Sequence, residues 1–145
     1  MDVLFICTGN TCRSPMAEAL ARSLVDGIGF FSRGLAAWDG QPASGVAVDV
    51  LMEAFGVDLS AHRARIVDNI DVERAGLILT MTRGHRARMN ELYPSAADKI
   101  FTLGEIAGED ISDVGDPFGG GDAEYRDCAE MLRRLILAID FTRYI

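Results

Sequence analysis

The segment Val3-Leu-Phe-Ile-Cys-Thr-Gly-Asn-Thr-Cys-Arg-Ser-Pro15 joins two different patterns. Its first four residues are apolar, as in a buried β-strand, and apolar side chains recur at helical spacing after it. Ser14 is a good N-cap residue, and Pro15 suits the first position of a helix. The segment therefore predicts a strand, a tight loop at residues 7–14, called the anion loop below, and a helix.

A loop between a strand and a helix directs backbone N–H groups into one concavity, at the positive end of the helix dipole. Such a loop binds anions. Cys7 stands at its start, and the planar guanidinium of Arg13 can hold two oxygens of a phosphoryl group. The same positive surroundings favour a thiolate at Cys7. A nucleophile and an oxyanion clamp are therefore predicted on one loop.

The composition is typical of a folded globular chain, with 49% hydrophobic and 25% charged residues in a length of 145. We expect one domain over residues 1–145, monomeric, with no targeting segment or membrane association, in the cytoplasm. The net charge of −8 argues against nucleic acid as a partner, because phosphate backbones require a basic surface.

Three cysteines, Cys7, Cys12 and Cys128, are too few for a disulfide framework and favour reduced thiols. Together with His62 and His85 they show none of the usual zinc-ligand spacings, so we expect no metal and no cofactor. His62 is interpreted as a hydrogen-bonded structural residue rather than a ligand or base. Cys128 lies in the apolar stripe of the last predicted helix, which favours a packing role over a redox role.

Strands and helices are predicted to alternate along the rest of the chain. Further strands are expected at 30–33, 77–81 and 100–103, helices at 43–55 and 122–141 and after the caps Asp68 and Thr82, and a loop between 104 and 115. This alternation predicts an α/β fold whose parallel sheet is covered by helices on both faces. Ligands bind such sheets at the carboxyl ends of strands, at the point where the strand order reverses.

The chain resembles the low-molecular-weight protein tyrosine phosphatases in several segments. CTGNTCRSPMAEAL at 7–20 looks like their signature loop, and DLSAHRAR at 58–65, LILTM at 77–81 and DPFG at 116–119 fall where that family has them. The resemblance implies a three-layer, doubly wound, four-stranded parallel sheet of order 2-1-3-4. It also implies a cysteine-dependent phosphatase that acts on phosphorylated proteins through a phosphocysteine intermediate.

Cleavage of a phosphate ester or phosphoramidate by a cysteine needs a thiolate, stabilisation of charge on the phosphoryl oxygens, and an acid for the leaving group. Cys7 supplies the thiolate, and Arg13 stabilises the charge with the loop amides. The predicted phosphate-binding residues are Thr8, Gly9, Asn10, Thr11, Cys12, Arg13 and Ser14. Asp116, beside Pro117, is the predicted acid, with Asp113 as its rival, and the resemblance favours Asp116. The same carboxylate can then activate water.

Three loop residues have further predicted roles. Ser14 can donate a hydrogen bond to the Cys7 sulfur, and Asn10 tolerates a left-handed backbone and can brace the loop. Cys12 is five positions after Cys7, so we hypothesise a reversible Cys7–Cys12 disulfide that protects the nucleophile from over-oxidation. The alternative is a small residue that only fills the loop.

Thr11 bears on the substrate. Tyrosine-directed members of the family usually carry an apolar branched residue there, whereas its protein-arginine phosphatases carry Thr. Phe118, followed by Gly119, is also close to the arginine-directed pattern and can wall the substrate pocket. The resemblance thus implies phosphoarginine as the substrate, with phosphotyrosine as the alternative if Thr11 is only a tolerated β-branched variant. Trp38, more typical of the tyrosine-directed branch, is either a lip of the active site or a cover for the edge of the core.

Two other functions fit less well. Arsenate reductases share the fold and the loop but use two further cysteines on a mobile segment, and this chain offers only Cys128. A non-catalytic phosphate-binding adaptor would lack Cys7, Arg13 or the acid. The basic cluster at 83–88, formed by Arg83, His85, Arg86 and Arg88, is interpreted as a solvated face rather than a docking site for an acidic partner.

Overall fold

The computed structural model describes residues 1–109 and 113–145, within which strands and helices alternate. The strands are β1 (Asp2–Cys7), β2 (Phe30–Gly34), β3 (Ala75–Thr80) and β4 (Ile100–Thr102). The helices are α1 (Arg13–Leu24), α2 (Gly45–Phe55), α3 (Asn69–Arg74), α4 (Arg83–Leu92), α5 (Leu103–Ile106) and α6 (Asp122–Leu137), with 3-10 helices at Pro94–Lys99 and Phe141–Arg143. In the described ranges, no helix combines the length and the apolar character needed to cross a membrane.

The four strands form a parallel sheet of order β2-β1-β3-β4, which confirms the predicted fold class and strand order. Val3 of β1 pairs with Phe30 on one side and Leu77 on the other. The chain leaves β1 for β2 on one side and later crosses to β3 on the other, so the order reverses beside β1. Cys7 ends β1 at this point, and the anion loop begins there.

Alternate side chains of β1 enter two separate cores, because successive residues of a strand point to opposite faces of the sheet. Val3 and Phe5 pack with apolar residues of α1, α2 and α6, whereas Leu4 and Ile6 pack with residues of α3 and α4. All four side chains are fully buried. Burial of each such side chain contributes about 1.5–3 kcal/mol to the stability of the fold. Because both faces of the sheet are covered, β1 is apolar from Val3 to Ile6 without interruption.

Besides shifts of one or two residues at the ends of α2, β3 and β4, three features differ from the sequence prediction. Helix α1 begins at Arg13, with Cys12 at the N-cap position and no side-chain cap, so the predicted cap at Ser14 was wrong. Helix α6 ends at Leu137 rather than at residue 141, although Phe141 remains buried and stacks edge-on against Phe30 at 5.2 Å. Helix α5 lies in the predicted loop, where Thr102 caps it, and residues 110–112 of that loop lie outside the described residues.

Candidate active site

The anion loop lines a cavity of about 260 Å³ at the carboxyl end of β1. The lining residues are Cys7, Thr8, Gly9, Thr11, Cys12, Arg13, Gln41, Asp116 and Phe118. A larger cavity of about 700 Å³ lies behind the loop and is walled in part by Ser32 and His62. Because the nucleophilic and cationic side chains line the smaller cavity, that one is the candidate active site.

The backbone of the anion loop is turned so that its carbonyls face the surrounding protein. The carbonyls of Cys7, Thr8, Asn10, Thr11 and Cys12 accept hydrogen bonds from Leu35 N, Ala36 N, His62 Nε2, Ser44 N and Met16 N, respectively. In a trans peptide unit the N–H group points opposite to the carbonyl oxygen. The N–H groups of Thr8, Gly9, Thr11, Cys12 and Arg13 are therefore directed to the concave side of the loop. Five such donors form a backbone site for an anion.

The Cys7 sulfur is buried and receives two hydrogen bonds. Ser14 Oγ lies 2.8 Å from Cys7 Sγ, and the backbone N–H of Asn10 lies 3.3 Å from it. Asn10 indicates the direction of the first bond, because its Nδ2 donates to Ser14 Oγ at 2.9 Å. The Ser14 oxygen accepts from the amide, and its own hydrogen is then available for the sulfur. Both contacts place hydrogen-bond donors around the Cys7 sulfur.

Asn10 braces the loop from within. It is fully buried with a left-handed backbone, φ 57°. Its Nδ2 also donates to Ser32 Oγ at 3.0 Å, and its Oδ1 accepts from the backbone N–H of Arg65 at 3.0 Å. The side chain thus joins α1, β2 and the segment after His62 around the loop, as the sequence prediction of an internal brace requires.

Asn10→Ala is expected to lower the free energy of unfolding by about 4 kcal/mol, because it removes three side-chain hydrogen bonds and because alanine tolerates a left-handed backbone less well than asparagine. Asn10→Gly removes the same hydrogen bonds but tolerates the backbone, so its loss is expected to be about 1 kcal/mol smaller. Urea denaturation of the three proteins measures both values. Losses below about 1 kcal/mol in both variants would contradict the bracing role.

Arg13 connects the anion loop to the loop that carries Asp116. Its buried side chain donates from Nη1 to the Val114 carbonyl at 3.1 Å, and its Nη2 lies 3.5 Å from Asp116 Oδ2. The Asp116 side chain is 52% exposed, so this ion pair fixes geometry more than it stabilises the fold. The other carboxylate oxygen accepts from the Phe118 N–H at 3.0 Å.

Asp113, the rival acid, is engaged elsewhere. Its Oδ1 accepts from the backbone N–H of Arg83 at 2.8 Å and lies 3.5 Å from Arg83 Nε. Asp113 therefore stands at the start of α4, whereas Asp116 lines the cavity with Cys7 and Arg13. This placement favours Asp116 over Asp113 as the acid.

Phe118 and Trp38 are two exposed aromatic side chains. Phe118 lines the cavity and is 78% exposed, and Trp38 is 81% exposed. The interpretation of Trp38 as a cover for the core edge is therefore wrong. The Trp38 carbonyl accepts from the N–H of Gln41, which lines the cavity. Sequence reasoning missed Gln41, because a glutamine in a Gly-Pro loop carries no chemical signature.

The two histidines hold the loop from opposite sides. His62 Nε2 lies 2.7 Å from the Asn10 carbonyl, in agreement with its structural interpretation. His85 Nε2 lies 2.8 Å from Thr8 Oγ1. Burial, and then the nearby Arg13 guanidinium, lowers the pKa of His85 to about 4. His85 is therefore uncharged near neutral pH and does not belong to the predicted basic cluster.

The arginines of that cluster are paired with carboxylates. Arg83 lies 3.5 Å from Asp113, Arg86 2.8 Å from Glu105, and Arg88 3.0 Å from Glu91. The cluster therefore presents little net positive charge, which favours the interpretation as a solvated face.

The other two cysteines differ in their surroundings. Cys12 Sγ lies 3.3 Å from the Tyr125 hydroxyl, and burial together with this hydrogen bond raises the pKa of Tyr125. Burial raises the pKa of Cys128 to about 12, which fits a packing role. All three cysteines are free thiols. The redox role of Cys12 stays a prediction.

A buried thiol with two hydrogen-bond donors, a guanidinium and five inward N–H groups beside a carboxylate can transfer a phosphoryl group through cysteine. Comparison with known proteins agrees: the family model for low molecular weight phosphotyrosine protein phosphatase matches residues 2–139. The protein-arginine-phosphatase of Geobacillus stearothermophilus is 41% identical over 135 residues, covering 92% of this chain and 90% of the relative.

Solved structures show the same relationship. A low molecular weight protein tyrosine phosphatase from T. tengcongensis is 43% identical, with a TM-score of 0.91 over 95% of this chain and 96% of that one. A Cys-to-Ser mutant of the YwlE arginine phosphatase, with a phosphorylated active-site serine, is 35% identical, with a TM-score of 0.92 over 99% and 97% of the two chains. The chain belongs to the low-molecular-weight protein tyrosine phosphatase family and is a protein phosphatase.

Proposed function

We propose that this protein removes phosphoryl groups from phosphoarginine in proteins, with phosphotyrosine as the second candidate substrate. The observation that carries the proposal is Thr11, which lines the cavity beside Cys7. A guanidinium substrate presents N–H donors, and the side chains of Thr11, Gln41 and Asp116 give the cavity oxygen acceptors. An apolar residue at position 11 would instead suit a tyrosine ring. The naming of relatives as protein-arginine-phosphatases supports the same choice.

In the proposed mechanism the Cys7 thiolate attacks phosphorus in line with the leaving group. The bond from phosphorus to the leaving nitrogen or oxygen breaks as Asp116 donates a proton to that atom. Arg13 and the five inward N–H groups hold the phosphoryl oxygens while charge spreads over them. The products of this step are the dephosphorylated side chain and a phosphocysteine.

Hydrolysis then restores the enzyme. The Asp116 carboxylate removes a proton from water, which attacks phosphorus, and the phosphorus–sulfur bond breaks. The electron pair returns to Cys7 Sγ, where the hydroxyl of Ser14 and the N–H of Asn10 stabilise the leaving thiolate. Inorganic phosphate leaves the cavity. The same carboxylate thus serves as acid in the first step and base in the second.

We further propose that residues 1–145 act as one phosphatase domain, monomeric and cytoplasmic. The family match over residues 2–139 supports a single functional unit. A nucleophilic thiol and two further free cysteines suit a reducing compartment.

The substrate is tested by kcat/KM on a phosphoarginine peptide and a phosphotyrosine peptide of matched sequence, with Cys7→Ser as the blank. Wild type is expected to prefer phosphoarginine, and Thr11→Ile is expected to shift the ratio toward phosphotyrosine by about 10- to 100-fold. Two matched variants separate the effect of the Thr11 hydroxyl from the effect of side-chain volume. Thr11→Val removes only the hydroxyl and should follow Thr11→Ile in direction, whereas Thr11→Ser should keep the wild-type preference.

A wild-type preference for phosphotyrosine that survives Thr11→Ile would contradict the arginine assignment and leave a tyrosine phosphatase with an incidental threonine. If Thr11→Val and the wild type show the same ratio of kcat/KM on the two peptides, any effect of Thr11→Ile is due to the volume of the isoleucine side chain.

A further inference from the structure

His85 is a buried imidazole that the proposed mechanism does not use. Thr82 caps α4 by accepting from the backbone N–H of His85 at 3.1 Å, which fixes His85 in the first turn of that helix. From there Nε2 reaches Thr8 Oγ1 at 2.8 Å. Thr8 is exposed and lines the cavity, whereas His85 is only 9% exposed. A residue remote in sequence therefore contacts the wall of the active site from behind.

The imidazole carries one proton rather than two. Besides burial and the Arg13 guanidinium, which lower the pKa of His85 to about 4, the first turn of a helix disfavours a positive charge. Asp113 and Asp116 oppose this effect without reversing it. A neutral imidazole has one N–H donor and one acceptor nitrogen, so the partner of Nε2 depends on which nitrogen is protonated.

The second ring nitrogen indicates the tautomer. Among residues 1–109 and 113–145, Nδ1 of His85 is buried and has no hydrogen-bond partner. Protonation of Nδ1 would leave a buried N–H donor unsatisfied, which proteins rarely tolerate. Protonation of Nε2 places the donor against Thr8 Oγ1 and leaves only a lone pair unmatched at Nδ1. The Nε2–H tautomer is therefore favoured, and Thr8 Oγ1 is the acceptor of this hydrogen bond.

The acceptor role of Thr8 has a consequence for its own hydrogen. A threonine hydroxyl donates one hydrogen bond, and an Oγ1 that already accepts from His85 keeps its hydrogen free for another partner. Thr8 faces the cavity that also contains Cys7 and Arg13. We propose that His85 is a positioning residue that turns the Thr8 hydroxyl into a hydrogen-bond donor for the bound phosphoryl group. The inference rests on the proposed phosphatase chemistry but not on the choice between phosphoarginine and phosphotyrosine.

The probe is inorganic phosphate, and its dissociation constant is measured by calorimetry. Thr8→Val keeps the shape of the side chain and removes the hydroxyl, so phosphate binding is expected to weaken about tenfold, as for one hydrogen bond to a charged group. Thr8→Ser keeps the donor and is the matched control. His85→Leu is expected to weaken binding to a similar extent, and His85→Gln, whose amide can donate, to restore most of it.

The double variant Thr8→Val/His85→Leu isolates the coupling. Since His85 acts through Thr8, the double variant is expected to bind phosphate as weakly as Thr8→Val alone. Losses that multiply in the double variant would overturn the positioning role. Wild-type phosphate binding that is unchanged in Thr8→Val would overturn the inference while leaving the phosphatase function intact.

NMR spectroscopy of the wild-type protein tests the tautomer, so this test does not depend on whether a variant folds. In the ¹⁵N-histidine-labelled wild-type protein at neutral pH, NMR is expected to show His85 protonated at Nε2 and unprotonated at Nδ1. The opposite tautomer would make Thr8 the donor to the ring and would overturn the proposal. Neither readout uses turnover of a phosphorylated protein, so a failure here is distinct from a failure of the substrate assignment.

Discussion

Cys7→Ser is expected to abolish turnover of every phosphorylated substrate, with kcat reduced by at least about 10⁴-fold. A serine hydroxyl is far less ionised than the Cys7 thiol, and a phosphoserine is a much poorer substrate for hydrolysis than a phosphocysteine. The two groups that now face the sulfur, the Ser14 hydroxyl and the Asn10 N–H, would remain in place. Steady-state kinetics and intact-protein mass spectrometry measure the outcome.

The mass spectrum adds a test of the intermediate. If the first step still occurs slowly, the variant is expected to retain one phosphoryl group on position 7. Cys128→Ser is the matched control, because that thiol lies on α6 outside the cavity. Loss of activity in Cys128→Ser but not in Cys7→Ser would overturn the assignment of the nucleophile.

Asp116→Asn is expected to lower kcat/KM by about 10²- to 10³-fold on a substrate whose leaving group needs a proton. The loss should be much smaller on an aryl phosphate with a strongly acidic leaving group, since that group departs without protonation. Steady-state kinetics on the two kinds of substrate measure both losses.

Asp113→Asn provides the comparison for this experiment. It removes the charge of the rival carboxylate and its ion pair with Arg83, whereas the amide oxygen can still accept from the Arg83 N–H. The residues that line the cavity are unchanged. An equal loss on the two kinds of substrate in Asp116→Asn, or a larger loss in Asp113→Asn, would show that Asp116 is not the acid.

The sequence predicted most of the features that depend on neighbouring residues. Cys7, Arg13 and Ser14 are close along the chain, so their proximity in space follows from one strand, one loop and one helix. The left-handed backbone at Asn10 was also predictable, because few residues other than Gly and Asn tolerate it. The alternation of apolar strands with helices predicted the parallel sheet, and the family resemblance supplied its strand order.

Contacts from distant segments could not be predicted in the same way. The Val114 carbonyl that holds Arg13, and Gln41 on the cavity wall, reach the site only through the tertiary fold. His85 was grouped with the arginines because sequence shows its neighbours along the chain and not its burial. The start of α1 was misplaced because Ser14 resembles a cap, whereas its hydroxyl contacts the nucleophile instead.

The Asn10 brace has a consequence for the enzyme in the cell. Because the amide ties three elements around the anion loop, the loop is ordered when the chain folds, and substrate does not have to order it. A loop that is ordered before binding can hold a phosphoryl group whether or not that group is attached to a protein. We therefore expect inorganic phosphate to inhibit the enzyme as a product, so that dephosphorylation slows as the concentration of free phosphate rises.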